Sequence, residues 1–220
     1  ISTAADCGGT VVVNWTANGA GTTLTRTGLS LIDMTTYFVA IRATDLAGNL
    51  GPTTTSDGIL VDIGPPPAPA LVNDGLIPPD ADYTASNSSL GGNWSSVFDG
   101  SGINRYEYCI TTSATGSDCS AGAVRTYTSA GVITSTTASG LTLSNGTMYY
   151  WFVRAVDSAG NIGGSARSDG ITVDLSAPSV TTVADGAAAD IDLQNPITAL
   201  WANWAASTDS LSGLLRYELC

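Results

Sequence analysis

The sequence contains no histidine and no lysine; its seven basic residues are all arginine, set against 19 acidic ones for a net charge of −12. The missing histidine removes imidazole chemistry: Ser-His nucleophilic catalysis, histidine-ligated zinc or copper, and imidazole acid–base exchange. The charge balance repels nucleic acid and anionic lipid, so neither is an expected partner. Charged residues are scarce at 12 %, whereas 43 % of residues are apolar, which supports real cores rather than a disordered linker. Unbroken apolar runs of about 18 residues are also missing, so membrane insertion is not expected in this segment. Ile1–Asp6 lacks the basic start and apolar stretch of a secretory leader.

What is present is a repeat. Thr147-Met-Tyr-Tyr-Trp-Phe-Val-Arg-Ala-Val-Asp-Ser-Ala-Gly-Asn161 has a weaker copy in Thr36-Tyr-Phe-Val-Ala-Ile-Arg-Ala-Thr-Asp-Leu-Ala-Gly-Asn49. Each is a run of β-branched and aromatic residues ending in a sharp turn, the pattern of a central strand. Alternation puts Tyr149, Trp151, Val153 and Ala155 on one face and Tyr150, Phe152 and Arg154 on the other. In the earlier copy the first face is Tyr37, Val39, Ile41 and Ala43. The register extends along the chain. Gly28, Asp45, Asp57 and Asp62 correspond to Gly140, Asp157, Asp169 and Asp174 at an offset of 112, and Asn93-Trp94 to Asn203-Trp204 at 110. A period near 111 residues has the size of one β-sandwich domain rather than of a solenoid repeat.

The phase of the repeat is as informative as its period. Arg105-Tyr-Glu-Tyr-Cys109 runs on into Ile110-Thr-Thr-Ser and Cys119, while Arg216-Tyr-Glu-Leu-Cys220 closes the chain and Ile1-Ser-Thr-Ala with Cys7 opens it. Joining end to start restores the repeat, so the expectation is a fragment cut in mid-domain. Residues 63–174 then form a complete domain, 1–62 the C-terminal part of one, and 175–220 the N-terminal part of the next. Half a sandwich bares an apolar face and open strand edges. The missing halves are therefore expected from adjacent copies, either in a longer tandem array, the favoured form, or from separate subunits.

Within 63–174, Pro65-Pro-Pro-Ala-Pro69 reads as a stiff linker into an edge strand near Ala70–Val72. Strands follow at 88–95, 103–110, 123–129, 132–143, 147–156 and up to Asp174, separated by turn signals such as Asp99-Gly-Ser-Gly102 and Asn145-Gly146. Seven short strands without helical periodicity indicate an all-β sandwich. Trp94, with Leu143-Ser-Asn-Gly-Thr-Met-Tyr149 leading into Trp151-Phe-Val-Arg-Ala155, resembles the fibronectin type III family. That family has a buried Trp on strand B and a Leu-x-Pro-Gly-Thr-x-Tyr lead-in to strand F with a tyrosine corner. Asn145 stands where the family usually has Pro. The resemblance implies tandem seven-stranded Greek-key β-sandwiches arranged head to tail. It implies strands C′ to G in 1–62 and A to C in 175–220, with Trp94, Tyr149, Trp151, Trp204 and Tyr37 in the cores. The wording Val-Arg-Ala-Val-Asp-Ser-Ala-Gly-Asn also resembles tandem repeats of large bacterial surface and secreted proteins.

Four features bear on chemistry. Cys109 and Cys119 enclose nine residues at the tips of expected neighbouring strands, so a disulfide is expected there, and Cys220 is expected to bridge to Cys7 of the following repeat. Such bonds imply an oxidising, extracellular or cell-surface location. The turns Asp45–Asn49 and Asp157–Asn161 offer oxygen ligands, which makes Asp45, Asn49, Asp157 and Asn161 candidate calcium residues. Asp62, Asp74, Asp80 and Asp82 could add ligands near the junction. Turn formation is the plainer role of those residues, and no other cofactor is expected. Asn14, Asn87, Asn93 and Asn145 begin N-glycosylation triplets. Glu107 and Glu218 sit beside Arg105 and Arg216 as ion pairs rather than as a glycosidase acid.

The expected function is a non-catalytic structural repeat of an extracellular filament. Strands of about nine residues at 3.3 Å give roughly 30 Å per domain. An adhesin or carbohydrate-binding module, or a spacer within a secreted enzyme, is the alternative. The outward face of Tyr150, Phe152 and Arg154 is the first expectation for a partner contact.

Overall fold

In the computed structural model, which describes residues 1–179, 181–193, 195 and 198–220, the longest strand runs from Met148 to Asp157, where the sequence has its densest apolar run. In chain order the strands are β1 Thr35–Tyr37, β2 Ala40–Ile41, β3 Thr54–Thr55, β4 Ile59–Val61, β5 Val72–Asp74, β6 Tyr83–Thr84, β7 Ser89–Trp94 and β8 Ile103–Thr111. They continue as β9 Ala123–Gly131, β10 Ser135–Ser139, β11 Met148–Asp157, β12 Ala166–Arg167, β13 Ile171–Val173, β14 Val183–Asp185 and β15 Ala202–Trp204. The fold is all-β among the described residues.

Strands β5 to β13 make a β-sandwich of two sheets. One has the order β10-β7-β5, the other β6-β13-β11-β8-β9 with β12 also on β11. Antiparallel pairing of β11 with β8 sets Trp151 opposite Ile110 and Val153 opposite Tyr108. Period-2 alternation then sends Tyr149, Trp151, Val153 and Ala155 into the space between the sheets, where they meet Leu90, Trp94, Tyr106, Leu141 and Val173. Each buried aliphatic side chain contributes roughly 1.5–3 kcal/mol relative to an exposed one. Trp151 lies directly over the backbone of β7: a Cβ at Gly92 would sit 2.7 Å from its ring. The proline segment is not free, since Pro66 and Pro69 are buried and Pro66 lies against Gly163.

The repeat in sequence is also a repeat in local bonding. The Tyr149 hydroxyl accepts the Ser144 N–H at 2.9 Å, and the Tyr37 hydroxyl accepts the Ile32 N–H at 2.9 Å. Likewise the Tyr106 hydroxyl accepts from Val97 N at 2.9 Å and the Tyr217 hydroxyl from Ser207 N at 2.7 Å. The tyrosine corners form in both copies.

The flanking segments are thinner. Residues 1–62 hold two small sheets, β1-β4 and β2-β3, and the segment after Asp174 holds β14-β15. Tyr37 is buried at 3 % exposure, but Trp204, expected in a core, is only half-buried. Its ring meets Tyr217 at 5.3 Å and 58°, close to the Trp94–Tyr106 pair at 5.9 Å and 55°. The aromatic pair is built, yet among the described residues no second sheet faces it, and a cavity of about 250 Å³ opens beside it.

Candidate functional site

The cysteine loop is the first feature with functional bearing. Cys109 and Cys119 are bonded, with Cα atoms 6.2 Å apart. The bond folds residues 112–122 back over the outer face of β8 and β11. Cys109, Tyr150 and Phe152 form a second apolar cluster with Cys119 and Tyr127 packed against it. The outward face of β11, expected to be open to a partner, is therefore closed: Tyr150 is 9 % and Phe152 2 % exposed. The Arg154 guanidinium lies 3.6 Å from the Tyr127 ring centroid, and Arg167 lies 5.1 Å over Tyr150. Arg154 donates to Glu107 at 2.8 and 2.9 Å, and Arg105 holds the other carboxylate oxygen. Burial pushes the Glu107 carboxyl upward, but Arg154 and Arg105 outweigh it and hold it below its ordinary range. Cys7 and Cys220 are free thiols, half-buried and exposed respectively.

The two Asp-x-Ala-Gly-Asn turns satisfy themselves. Asp157 Oδ1 accepts the Gly160 and Asn161 N–H groups at 2.7 and 2.8 Å, and Oδ2 accepts Asn161 Nδ2 at 2.8 Å. Asp45 accepts the same way from Ala47 N, Asn49 N and Asn49 Nδ2. For Asp45 the Asn49 side chain is the main cause of a lowered carboxyl pKa. For Asp157 burial opposes ionisation, but the Asn161 amide and the turn's N–H groups win and lower it. Asn161 Nδ2 also reaches the Asp62 and Gly64 carbonyls at 3.2 and 3.4 Å, so the turn fastens the junction before the sandwich. These residues act as turn and junction fasteners, the role Asp and Asn side chains have in bends. Among the junction acids Asp62 does come near Asp157, joined there by Asp99 of the Asp99–Gly102 turn. Asp62 Oδ1 accepts Gly64 N and Asp99 Oδ1 accepts Ser101 N.

A different acidic group is assembled only by the fold. One carboxylate oxygen each from Asp74, Asp80 and Asp169 lies within 4.8 Å of the others. Asp74, at the end of β5, is fully buried at 0 % exposure; Asp80 is half-buried and Asp169 exposed. Asp74 Oδ2 accepts the Gly170 N–H at 3.0 Å and its backbone N–H donates to Asp80 Oδ1 at 2.5 Å. Asp74 and Asp80 were legible as junction acids; Asp169 was missed as a partner because 95 residues separate it from Asp74 (169 − 74).

Of the glycosylation triplets, Asn14 and Asn87 are exposed. Asn93 is not available for a glycan: it lies within β7, its Nδ2 donates to the Gly75 carbonyl at 3.0 Å, and its Oδ1 accepts from Asn73 at 3.1 Å. Asn145 is exposed, with Nδ2 donating to Ser176 Oγ and Oδ1 accepting Leu175 N.

No protein-family model matches the chain, and no curated protein matches it. Solved structures that match it in part include chains with fibronectin type III domains. A twitchin kinase region from C. elegans is 14 % identical with a TM-score of 0.34, covering 51 % of this chain and 17 % of that one. The FN1-FN3 domains of chicken CNTN1 are 21 % identical with a TM-score of 0.34, covering 70 % of this chain and 50 % of that one. The third fibronectin III domain of human KIAA0343 is 19 % identical with a TM-score of 0.29, covering 57 % of this chain and 98 % of that one. At these scores the fold assignment rests on the chain's own two sheets.

Proposed function

We propose that the chain is a non-catalytic repeat segment of an extracellular or cell-surface fibre whose sandwiches are joined head to tail. In this reading adjoining copies complete its flanking segments. The bare apolar positions Val39 and Ile41, beyond the buried Tyr37, carry it. Trp151 and Val153 are sealed at 0 % exposure, whereas Val39 and Ile41, at the same positions of the repeat, are 45 % and 65 % exposed. Leaving such a face in water is unfavourable.

The supporting register is specific. Ser2 bridges Phe38 as Thr111 pairs with Tyr150, so the start of the chain already occupies the β8-like position beside the β11-like strand. An adjoining copy's Arg216–Cys220 would continue that line, setting Cys220 opposite Ala40 as Cys109 is opposite Phe152. Cys220 would then lie beside Cys7 as Cys109 lies beside Cys119. The geometry is the same whether the copies are continuous in one polypeptide or separate subunits. A disulfide-bearing fold suits an oxidising compartment, and no helix among the described residues is long and apolar enough to cross a membrane.

Electron microscopy of the native material, with thiol mapping, tests the reading. Regular filaments with a Cys7–Cys220 linkage are expected. Isolated chains bearing free thiols at both positions would overturn it.

A further inference from the structure

Asp74 is the one fully buried carboxylate among the described residues that carries an unpartnered oxygen. It is 0 % exposed, and its Oδ1 makes no hydrogen bond, although Oδ2 is bonded to Gly170 N. The Ser168 hydroxyl lies near the carboxyl and favours its ionised form, yet makes no bond of normal geometry to Oδ1. A buried carboxylate oxygen without a partner is costly, and two further carboxylates beside it add like-charge repulsion. Burial first, and the Asp80 and Asp169 charges after it, push the Asp74 carboxyl up to about 7. Asp80 is raised as well, by desolvation and by Asp169. Among the described residues no ion pair joins a cation to this group.

We propose that Asp74, Asp80 and Asp169 form a divalent-cation site that takes calcium. The ligand chemistry is hard oxygen with three negative charges, the set that calcium and magnesium prefer over softer metals. The three oxygens all lie within 4.8 Å of one another, close enough for a single ion to draw them together. Magnesium demands near-ideal octahedral geometry and gives up its waters reluctantly, so a set of protein carboxylates suits calcium better. Access is provided by a groove of about 240 Å³ lined by Asn73, Asp80, Asp169 and Arg167. The Arg167 guanidinium, at the rim of this groove, is engaged instead by the Ala114 carbonyl and the Tyr150 ring. The ion would fasten the end of β5 to the turn before β13, elements that no ladder hydrogen bonds join.

The loop geometry recurs where the sequence repeats. Asp185 N donates to Asp190 Oδ1 at 3.0 Å, as Asp74 N does to Asp80 Oδ1. Asp57 occupies the position of Asp169.

Calcium binding to the full chain, after chelation and at about pH 8, tests the proposal by calorimetric titration and thermal melting. Wild type is expected to bind saturably and to melt higher with calcium than with chelator. Asp169→Asn and Asp80→Asn should each weaken binding by more than about tenfold, while Asp99→Asn, in the other acidic cluster, should retain it. Asp74→Asn removes the buried charge, so it should melt higher than wild type in chelator and gain nothing from calcium. Absence of saturable binding in wild type would overturn the proposal. So would binding that survives both Asp169→Asn and Asp80→Asn, or that disappears with Asp99→Asn.

Discussion

Gly92 shows how one residue's lack of a side chain fixes a core. Its backbone lies under Trp151, and a methyl group there would approach the ring to 2.7 Å. Gly92→Ala should therefore destabilise the sandwich by roughly 1–3 kcal/mol, the cost of overpacking a filled core. Gly164→Ala, whose added carbon meets only Ala68 at 3.7 Å, should change stability by less than about 0.5 kcal/mol. Denaturant unfolding of the two variants checks both values. Tyr149→Phe keeps the ring in the core but removes the acceptor of the Ser144 N–H. It should cost about 1 kcal/mol by the same measurement. The tyrosine corner was implied by the resemblance of Leu143–Tyr149 to the fibronectin type III lead-in, and its bond spans only five residues. The place of Gly92 under the indole was not, since it depends on how two sheets stack.

At the scale of elements, the disulfide loop and the Asp-Asn turns are separate devices. Replacing Cys109 and Cys119 with Ser should lower stability by about 2–3 kcal/mol on the chain-entropy account of a short loop. It should also open residues 112–122 to proteolysis, because Phe152 and Tyr150 lose their cover. The turns act through charge. Asp157 has a carboxyl pKa held below its ordinary 3.8, so its contribution is present above that value and is lost as pH falls through the lower folded value. Melting temperature against pH should accordingly drop less steeply below about pH 4 in Asp157→Asn than in wild type, the variant being less stable at neutral pH. Asp74 has the opposite sign. Its folded carboxyl is raised to about 7, so the folded chain binds the extra proton between the ordinary value and 7. Stability in chelator should fall as pH rises through that window, and it should recover on adding calcium. Both turn sequences were legible as turns, and in the fold their own amides bond the carboxylates considered as calcium ligands, with Asp157 also lying beside Asp62 and Asp99.

For the molecule as a whole, the prediction concerns association. Ile41→Asp places a charge on the exposed face of Val39 and Ile41 without touching the sealed core at Trp151 and Val153. It should abolish filaments seen by electron microscopy while leaving the melting temperature of the isolated chain nearly unchanged. On the proposed assembly, calcium stoichiometry should rise from one per isolated chain to two. Asp185 and Asp190 of one copy would then meet Asp57 of the next.

The all-β class, the positions of the main strands, the 111-residue register and the inward set Tyr149, Trp151, Val153 and Ala155 were all readable from residue order. They depend on period-2 alternation, turn residues and bonds between near neighbours, which are local properties of the chain. What covers each face was decided by folding. Alternation puts Tyr150 and Phe152 opposite the core but says nothing of a loop closed by Cys119 lying over them. Cross-strand register, not spacing, brought Arg154 to Glu107. The same holds for Asp74, Asp80 and Asp169: two of them are neighbours in sequence, and the third arrives only when β13 takes its place beside β11.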